Sequence, residues 1–453
     1  MTAQRKENKM GVMPVKKLII TMSLPMMISM LVQALYNVVD SIYVARLSES
    51  ALTAVTLAFP LQNLMIALGS GTGVGINALL SRSLGQKKFE RSDAAANTGL
   101  LLTVFNAVVF LLVGLFAAEW FITTQTTDAE IIAAGAVYLR IVTCCSIGIF
   151  FQLTFERLLQ STGLTIYSMI SQAAGAIINI ILDPIMIFGL FGMPAFGVAG
   201  AAYATVIGQI SAALIGLFLN LKFNKEIDFS FEKMFHPQLE IIRRIYAVGI
   251  PSILMMSIGS VMTYLMNLIL ISFSTTAAAV FGVYFKLQSF FFMPVFGLNN
   301  GLIPVLAYNY GARNKSRIDE ALTFSVMVAF GIMVIGTIVM NLFPAQLLGF
   351  FNASSEMLKI GVPALHIISV HFPIAAVCIV MGSVFQAFSQ SIYSLIISIG
   401  RQLVILIPAA WLLAQTGNVN NVWWCFLIAE TASLILSVYY FRKIYASHVA
   451  VLE

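Results

Sequence analysis

The sequence predicts an all-α integral membrane protein with twelve transmembrane helices arranged as two parallel six-helix repeats. Three observations carry that expectation: the composition, the placement of the cations, and self-similarity at one fixed shift. Apolar residues make up 59% of the 453-residue chain and charged residues 10%, against roughly 45–50% and 25% in soluble globular proteins. With a mean hydropathy of +0.93, there is too little polar surface to cover a particle in water. A soluble enzyme, a secreted disulfide scaffold and a disordered tail protein are excluded.

A bilayer core of about 30 Å needs about 20 apolar residues in helix. Runs of that length are expected at 15–41, 52–80, 95–118, 131–156, 165–190, 196–221, 241–271, 278–308, 318–343, 356–387, 391–415 and 419–445. The longer ones call for tilt or extension beyond the lipid. The first apolar run follows Arg5, Lys6, Lys9, Lys16 and Lys17 and continues for a full span, so it reads as a signal-anchor helix rather than a cleaved leader.

With both termini placed inside, nearly all cations fall on one side. They are the five N-terminal ones, Arg82, Lys87, Lys88, Arg91, Arg157, then Lys222, Lys225, Lys233, Arg243 and Arg244, then Arg313, Lys315, Arg317, Arg401, Arg442 and Lys443: 21 of 25. The positive-inside rule favours this parity and supports an even number of spans. It implies a multi-pass membrane protein with cytoplasmic termini.

A shift of 226 residues, the separation of Pro25 from Pro251, also superposes Phe59 on Phe285, Leu61-Gln62 on Leu287-Gln288, and Gly71 and Gly75 on Gly297 and Gly301. The same shift pairs Gly85 with Gly311, Arg91 with Arg317, Asp93 with Asp319 and Gln160 with Gln386. The chain is therefore a duplicated six-helix unit: an N-lobe at 1–221, a cytoplasmic linker at 222–240 and a C-lobe at 241–453. Six spans is an even number, so both copies enter from the same side. Their axis then runs along the membrane normal, with a cavity between the halves.

Several apparent motifs reduce to packing. Gly69-Ser70-Gly71-Thr72-Gly73-Val74-Gly75 lies inside a span with no Gly-Lys-Ser/Thr after it. Gly71/Gly75 and Gly297/Gly301 are GxxxG pairs that let helices approach closely. His366 and His371, five apart, do not share a helical face, and Cys144, Cys145, Cys378 and Cys425 lie in apolar runs without paired spacing. Neither a metal site nor catalytic residues nor a nucleophile-base set is expected, and no cofactor or nucleic-acid partner.

Ionisable residues inside spans cost roughly 2.5–3.5 kcal/mol each on insertion scales and are functional candidates by default. Asp40 shares a helical face with Gln33, Tyr36 and Asn37. Asp183 follows Asn179 and Gln172 at helical spacings and precedes Pro184, which frees a carbonyl and permits a bend. These acids either tie helices together through hydrogen bonds or form a protonation or cation site, and two carboxyls on polar stripes within one half favour the second reading. Asp40, Asn179 and Asp183 are the expected coupling residues, with Pro25 and Pro184 as hinges. Gln33, Tyr36, Asn37, Gln172, Lys286 and Gln288 are the expected cavity lining. Lys286 stands where the first repeat has Pro60, and either faces the cavity opposite the acids or pairs with Glu430. Glu156 and Arg157 read as an ion pair or cap at the inner end of span four, and Arg140 is left without a role. At the repeat positions of Asp40 and Asp183 the second half has Met266 and Ala409, so coupling is expected in the N-lobe. The 22 Met and 34 Phe suit a wall that accepts varied apolar ligands.

Tyr36-Asn37-Val38-Val39-Asp40 after Pro25, and Asn179-Ile180-Ile181-Leu182-Asp183-Pro184, together with the two parallel sixes, resemble the multidrug and toxic compound extrusion (MATE) family. Gln160-Ser161-Thr162-Gly163, Gly197-Val198-Ala199-Gly200-Ala201-Ala202 and Tyr310-Gly311-Ala312-Arg313 are similar to that family's helix-end patterns, and the resemblance covers nearly the whole chain. It implies a V-shaped fold and a secondary antiporter that exports lipophilic, often cationic compounds by alternating access, acting as a monomer in a bacterial inner membrane. It also implies N-lobe coupling through Asp40, Asn179 and Asp183, to H+ rather than Na+. Acids that some relatives carry in the seventh and tenth helices are missing here. The main rival is a lipid-linked precursor flippase, which would need a strongly cationic cavity. Transporters of the major facilitator type share the parallel halves, but their basic loop motif after span two is not evident in Leu84-Gly85-Gln86-Lys87-Lys88.

Overall fold

The computed structural model describes residues 7–351 and 353–452, which form helices and connecting turns without a strand among them. Arg5 and Lys6, counted above with the N-terminal cations, lie outside the described residues. The N-lobe contains α1 (Lys9–Val12), α2 (Val15–Ala45), α3 (Glu49–Gly85), α4 (Phe89–Phe116), α5 (Ala118–Thr123), α6 (Ala129–Cys144), α7 (Ile147–Ser161), α8 (Thr165–Phe188) and α9 (Val198–Phe223). The short α10 (Phe231–Met234) lies in the linker. The C-lobe contains α11 (Leu239–Ile271), α12 (Thr275–Gly311), α13 (Lys315–Leu342), α14 (Pro344–Gly349), α15 (Ser355–Ile368), α16 (Phe372–Ala387), α17 (Ser391–Ile399), α18 (Ile407–Ala414), α19 (Val419–Val422) and α20 (Cys425–Ile444). Among the described residues eleven helical segments are long and apolar enough to span, and α6 with α7 makes a twelfth, bent by 46°.

That bend was not anticipated within 131–156. It falls where Cys145 leaves helical geometry (φ −96°, ψ 19°). The run Thr143-Cys144-Cys145-Ser146 offers short polar side chains that compete for backbone partners. Thr143 Oγ1 donates to Leu139 O at 2.6 Å and Ser146 Oγ to Ala107 O at 3.5 Å. Gly114 of α4 sits directly against the break, where a Cβ would collide with Thr143 Oγ1.

The duplication is visible in atomic detail. Ser48 and Ser274, one repeat apart, cap α3 and α12 by accepting from Ala51 N and Ala277 N at 3.0 and 3.1 Å. Lys87 and Arg313, also a repeat pair, both turn through the left-handed region at φ 57° and 59°. A Cβ on Gly85 would strike the Tyr308 carbonyl, and one on Gly311 would strike that of Arg82. Residues 82 and 308 are themselves repeat partners. Contacts that reciprocate in this way are what a two-fold axis between parallel repeats produces.

The lobes meet at one end only. Gly71 packs against Gly249 and Ile253 and Gly75 against Ile245, joining α3 to α11, while Gly297 packs against Met27 and Gly301 against Ser23, joining α12 to α2. Beyond these crossings the same faces separate, and nothing lies within 4 Å of a Cβ built on Gly282. The two halves thus enclose a cleft that opens at the Ala45–Ser48 and Ser272–Ser274 end. The basic segments at Lys87–Arg91, Arg243–Arg244 and Arg313–Arg317 lie at the closed end. A strap fastens that end: Asn8 Nδ2 donates to Thr162 O of the N-lobe (2.9 Å), while Arg317 Nη2 of the C-lobe donates to Met10 O (3.0 Å) and Met13 O (2.7 Å). Burial pushes the Lys9 ammonium of this strap below its usual pKa.

Arg401 departs from its expected position at a cytoplasmic helix start. It lies ten residues beyond the start of α17, about 15 Å along the helix, in a π-helical stretch at Gly400–Leu406. There it pairs with Glu430 of α20 (Nη1 to Oε2, 3.2 Å).

Candidate coupling site and central cleft

Asp40 of α2 and Asp183 of α8 come together inside the N-lobe, their carboxyl groups within hydrogen-bonding reach of one another. The sequence placed each on a polar stripe, and the structure joins the stripes: Gln172 Nε2 donates to Gln33 Oε1 at 3.2 Å, linking α8 to α2 two to three turns further along. Asp183 is fully buried, and neither of its oxygens accepts a hydrogen bond from a donor residue among the described residues; Asp40 Oδ1 is likewise unmatched. Two carboxylates facing each other without donors repel strongly, so the pair is stable only with a proton or a cation between them.

Neighbouring residues fix this geometry. Asn179 Nδ2 donates to Thr205 Oγ1 of α9 at 3.3 Å, and its own Oδ1 is left without a donor. Tyr36 shares Thr205 through a side-chain hydrogen bond, and Tyr138 OH donates to Gln62 Oε1 at 3.4 Å nearby. Sequence reading missed Thr205 and Tyr138. The available signal was the glycine pair: a Cβ on Gly208 would come 2.8 Å from Gly175 O and 3.0 Å from Asn179 Cβ. Only glycine there lets α9 close onto α8 and bring Thr205 to Asn179.

The helices run unbroken through Pro25 and Pro184. Pro25 offers no N–H to Thr21 O, and Thr165 Oγ1 of α8 donates to that carbonyl instead at 3.3 Å. A side chain therefore ties α2 to α8 at this proline.

The remaining expected residues divide. Asn37 is exposed on the side of α2 that also carries Ser23 and Met26, facing the other lobe. Lys286 is exposed on α12, eleven residues before Gly297 and hence on nearly the same helical face. It borders the cleft, and its ammonium sits 5.9 Å from the Phe351 ring centre. The alternative pairing with Glu430 is taken by Arg401. Gln288 lies about 200° round α12 from Lys286, on the side of the buried Tyr284 and Leu287, and does not join the cleft set.

At the floor of the cleft Glu156 and Arg157 are both buried, and their hydrogen bonds go to amides and a hydroxyl rather than to each other. Gln152 Nε2 donates to Glu156 Oε1 (3.0 Å), whereas Arg157 donates to Gln160 Oε1 (3.0 Å), Ser70 Oγ (3.4 Å) and, across the lobes, Asn300 Oδ1 (3.2 Å). Arg140 pairs with the exposed Glu119 at 3.5 Å. His371 is buried with Nδ1 2.5 Å from Ile368 O, and no group of three His, Cys, Asp or Glu among the described residues could hold a metal ion.

Duplicated lobes around a cleft, with an unsatisfied carboxyl pair in one of them, define a membrane transporter rather than a channel or scaffold. The MatE family model matches residues 25–185 and 251–412, one block in each repeat, and the chain belongs to that family. It is similar to the multidrug export protein MepA of Staphylococcus aureus (strain MSSA476), 27% identical over 433 residues covering 95% of this chain and 94% of MepA. A solved outward-facing multidrug resistance MATE family transporter of the MOP superfamily superposes with a TM-score of 0.92 at 27% identity, over 98% of this chain and 99% of the other. A MOP superfamily transporter from Pyrococcus furiosus Vc1 (DSM3638), for which a reversed polarity of the binding pocket has been described, matches at 0.91, also at 27% identity and with coverages of 98% and 99%.

Proposed function

We propose that the protein is a secondary antiporter that exports small lipophilic compounds carrying a cationic group in exchange for protons, by alternating access between its two lobes. The observation that carries this reading is the Asp40–Asp183 pair, a half-buried and a fully buried carboxyl facing each other, with no donor to Asp40 Oδ1 or to either Asp183 oxygen among the described residues. A proton entering the pair discharges it and lets α2 and α8 stay close. Its loss leaves a net negative pair that attracts a substrate cation and must be screened by it. Binding of either partner thereby excludes the other, which is the requirement for exchange. Sodium would satisfy the same carboxyls, and it is the alternative the experiment separates.

The basic closed end faces the cytoplasm on this reading, in keeping with the positive-inside rule, and the described conformation is open to the outside. The similarity to a multidrug exporter and to an outward-facing transporter supports the assignment, as does MepA's bacterial source for a plasma-membrane location. A monomer suffices, because the cleft lies between lobes of one chain. The flippase reading is weaker, since the N-lobe wall holds acids.

Exchange of one monovalent cation for one proton moves no net charge, so a pH gradient alone drives it, at about 1.36 kcal/mol or tenfold accumulation per pH unit. A second proton would add about 2.3 kcal/mol per 100 mV. The test is ethidium export from proteoliposomes under an imposed pH or sodium gradient, for wild type and Asp183→Asn. Proton-driven export that disappears in the variant is expected. Sodium-driven export surviving the substitution would place coupling elsewhere, and complete loss of pH-driven flux with the potential clamped at zero would sink the one-for-one stoichiometry.

A further inference from the structure

The charge that faces the open cleft differs in sign from the charge buried behind it. On the N-lobe wall the acids turn inward toward α8 and α9 and Asp183 is fully buried, leaving the neutral Asn37 exposed. On the C-lobe wall the exposed charged group is Lys286. Its face of α12 is fixed by the inter-lobe contacts below it: Gly297 and Gly301 rest on α2, and Asn300 receives Arg157 of α7. Lys286 falls between those directions on the helical wheel, four residues from Gly282, where the space is open. No ion pair joins Lys286 to a carboxylate among the described residues. The buried acid of its own lobe, Glu430, is paired with Arg401, and the ammonium lies beside the Phe351 ring. The repeat partner of Lys286 is Pro60, so the cation belongs to one wall only.

We propose that Lys286 is a specificity-determining residue that contacts a carboxylate on the transported compound, with the Phe351 ring as an apolar platform beside it. The favoured substrates are zwitterionic amphiphiles, whose cationic end lies toward the Asp40–Asp183 wall and whose anionic end lies toward Lys286. A bare lipophilic cation meets an uncompensated like charge on that wall, which disfavours it. This inference rests on the export reading for the direction of transport but not for the binding contact itself.

The test uses two dyes that differ in one group: a rhodamine with a free carboxylate, a zwitterion, and its methyl ester, a cation. Binding to the full-length protein in nanodiscs is followed by fluorescence anisotropy. Wild type is expected to bind the zwitterion more tightly, Lys286→Gln to lower the zwitterion-to-ester affinity ratio about tenfold, the scale of one charge-assisted contact, and Lys286→Arg to keep it. Wild type preferring the ester would overturn the proposal without recourse to any variant, as would an unchanged ratio in Lys286→Gln. Gradient-driven export of the same dyes separates the two readings. Lost export with an intact binding ratio faults the antiporter alone, and intact export with a flat ratio faults the lysine alone.

Discussion

The two lobes are copies of one unit that have resolved the same electrostatic problem in opposite ways. The N-lobe sets the half-buried Asp40 against the fully buried Asp183, and among the described residues no cation pairs with either. The C-lobe has Met266 and Ala409 at those positions and buries an acid on a different helix, Glu430, with Arg401 supplied as its counter-ion. A buried carboxylate with a built-in guanidinium has nothing to exchange. One without must take its partner from solution. On the proposed reading, the difference teaches that an ion-coupling lobe is recognised by acids that lack a counter-ion of their own, not by how many charges it holds.

The comparison breaks most sharply at the N-lobe pair. Asp40→Asn and Asp183→Asn should each reduce proton-driven export to background, and the double variant should be no worse than either, because the two act as one unit. Additive partial losses in a flux assay would mean two independent sites. The next largest effect is expected in the C-lobe. Glu430→Gln leaves the half-buried Arg401 without its counter-ion and should cost about 1–3 kcal/mol of stability, read as a lowered melting temperature in detergent. Adding Arg401→Met should recover most of that loss, and export by the rescued protein should remain proton-driven. If the rescued protein loses its proton dependence, the C-lobe takes part in coupling after all.

Smaller effects sharpen the picture. Gly311→Ala places a methyl against the Arg82 carbonyl and should cost about 1–3 kcal/mol through overpacking. Because the strain is relieved when the closed end opens, a reporter cysteine there should also label faster than in the parent protein. Thr205→Val removes the hydroxyl shared by Asn179 and Tyr36, at about 1 kcal/mol. It should shift the pH profile of export without abolishing it, whereas an unaltered profile would remove Thr205 from the site.

The features legible in the sequence were those written as residue type at fixed spacing. Pro25 and Pro251, or Gly71 and Gly297, announce the duplication because a helix crossing tolerates little else. Asp40 and Asp183 announce themselves because lipid penalises charge. Their meeting was not legible, since it depends on how closely α2, α8 and α9 approach, which Gly175 and Gly208 decide from a distance. Nor was the depth of Arg401, because counting cations by nearest loop ignores how far ten residues of helix carry a side chain into the bilayer. Gln288 was misjudged for a related reason. Kinship with Gln62 marks it as a repeat residue, and in the N-lobe Gln62 already faces its own lobe, accepting from Tyr138.

The reciprocal contacts at Gly85 and Gly311 give the molecule a fulcrum close to one membrane face. Lys286 lies 25 residues along α12 from that pivot, a lever arm of about 38 Å at 1.5 Å per residue, so each degree of rocking displaces it by about 0.7 Å. A swing of about four degrees then changes the width at that level by about the diameter of a water molecule. Small angular play at the glycines is geared into the difference between a wetted and a sealed passage, so the pivot needs little internal rearrangement for the far end to open or shut.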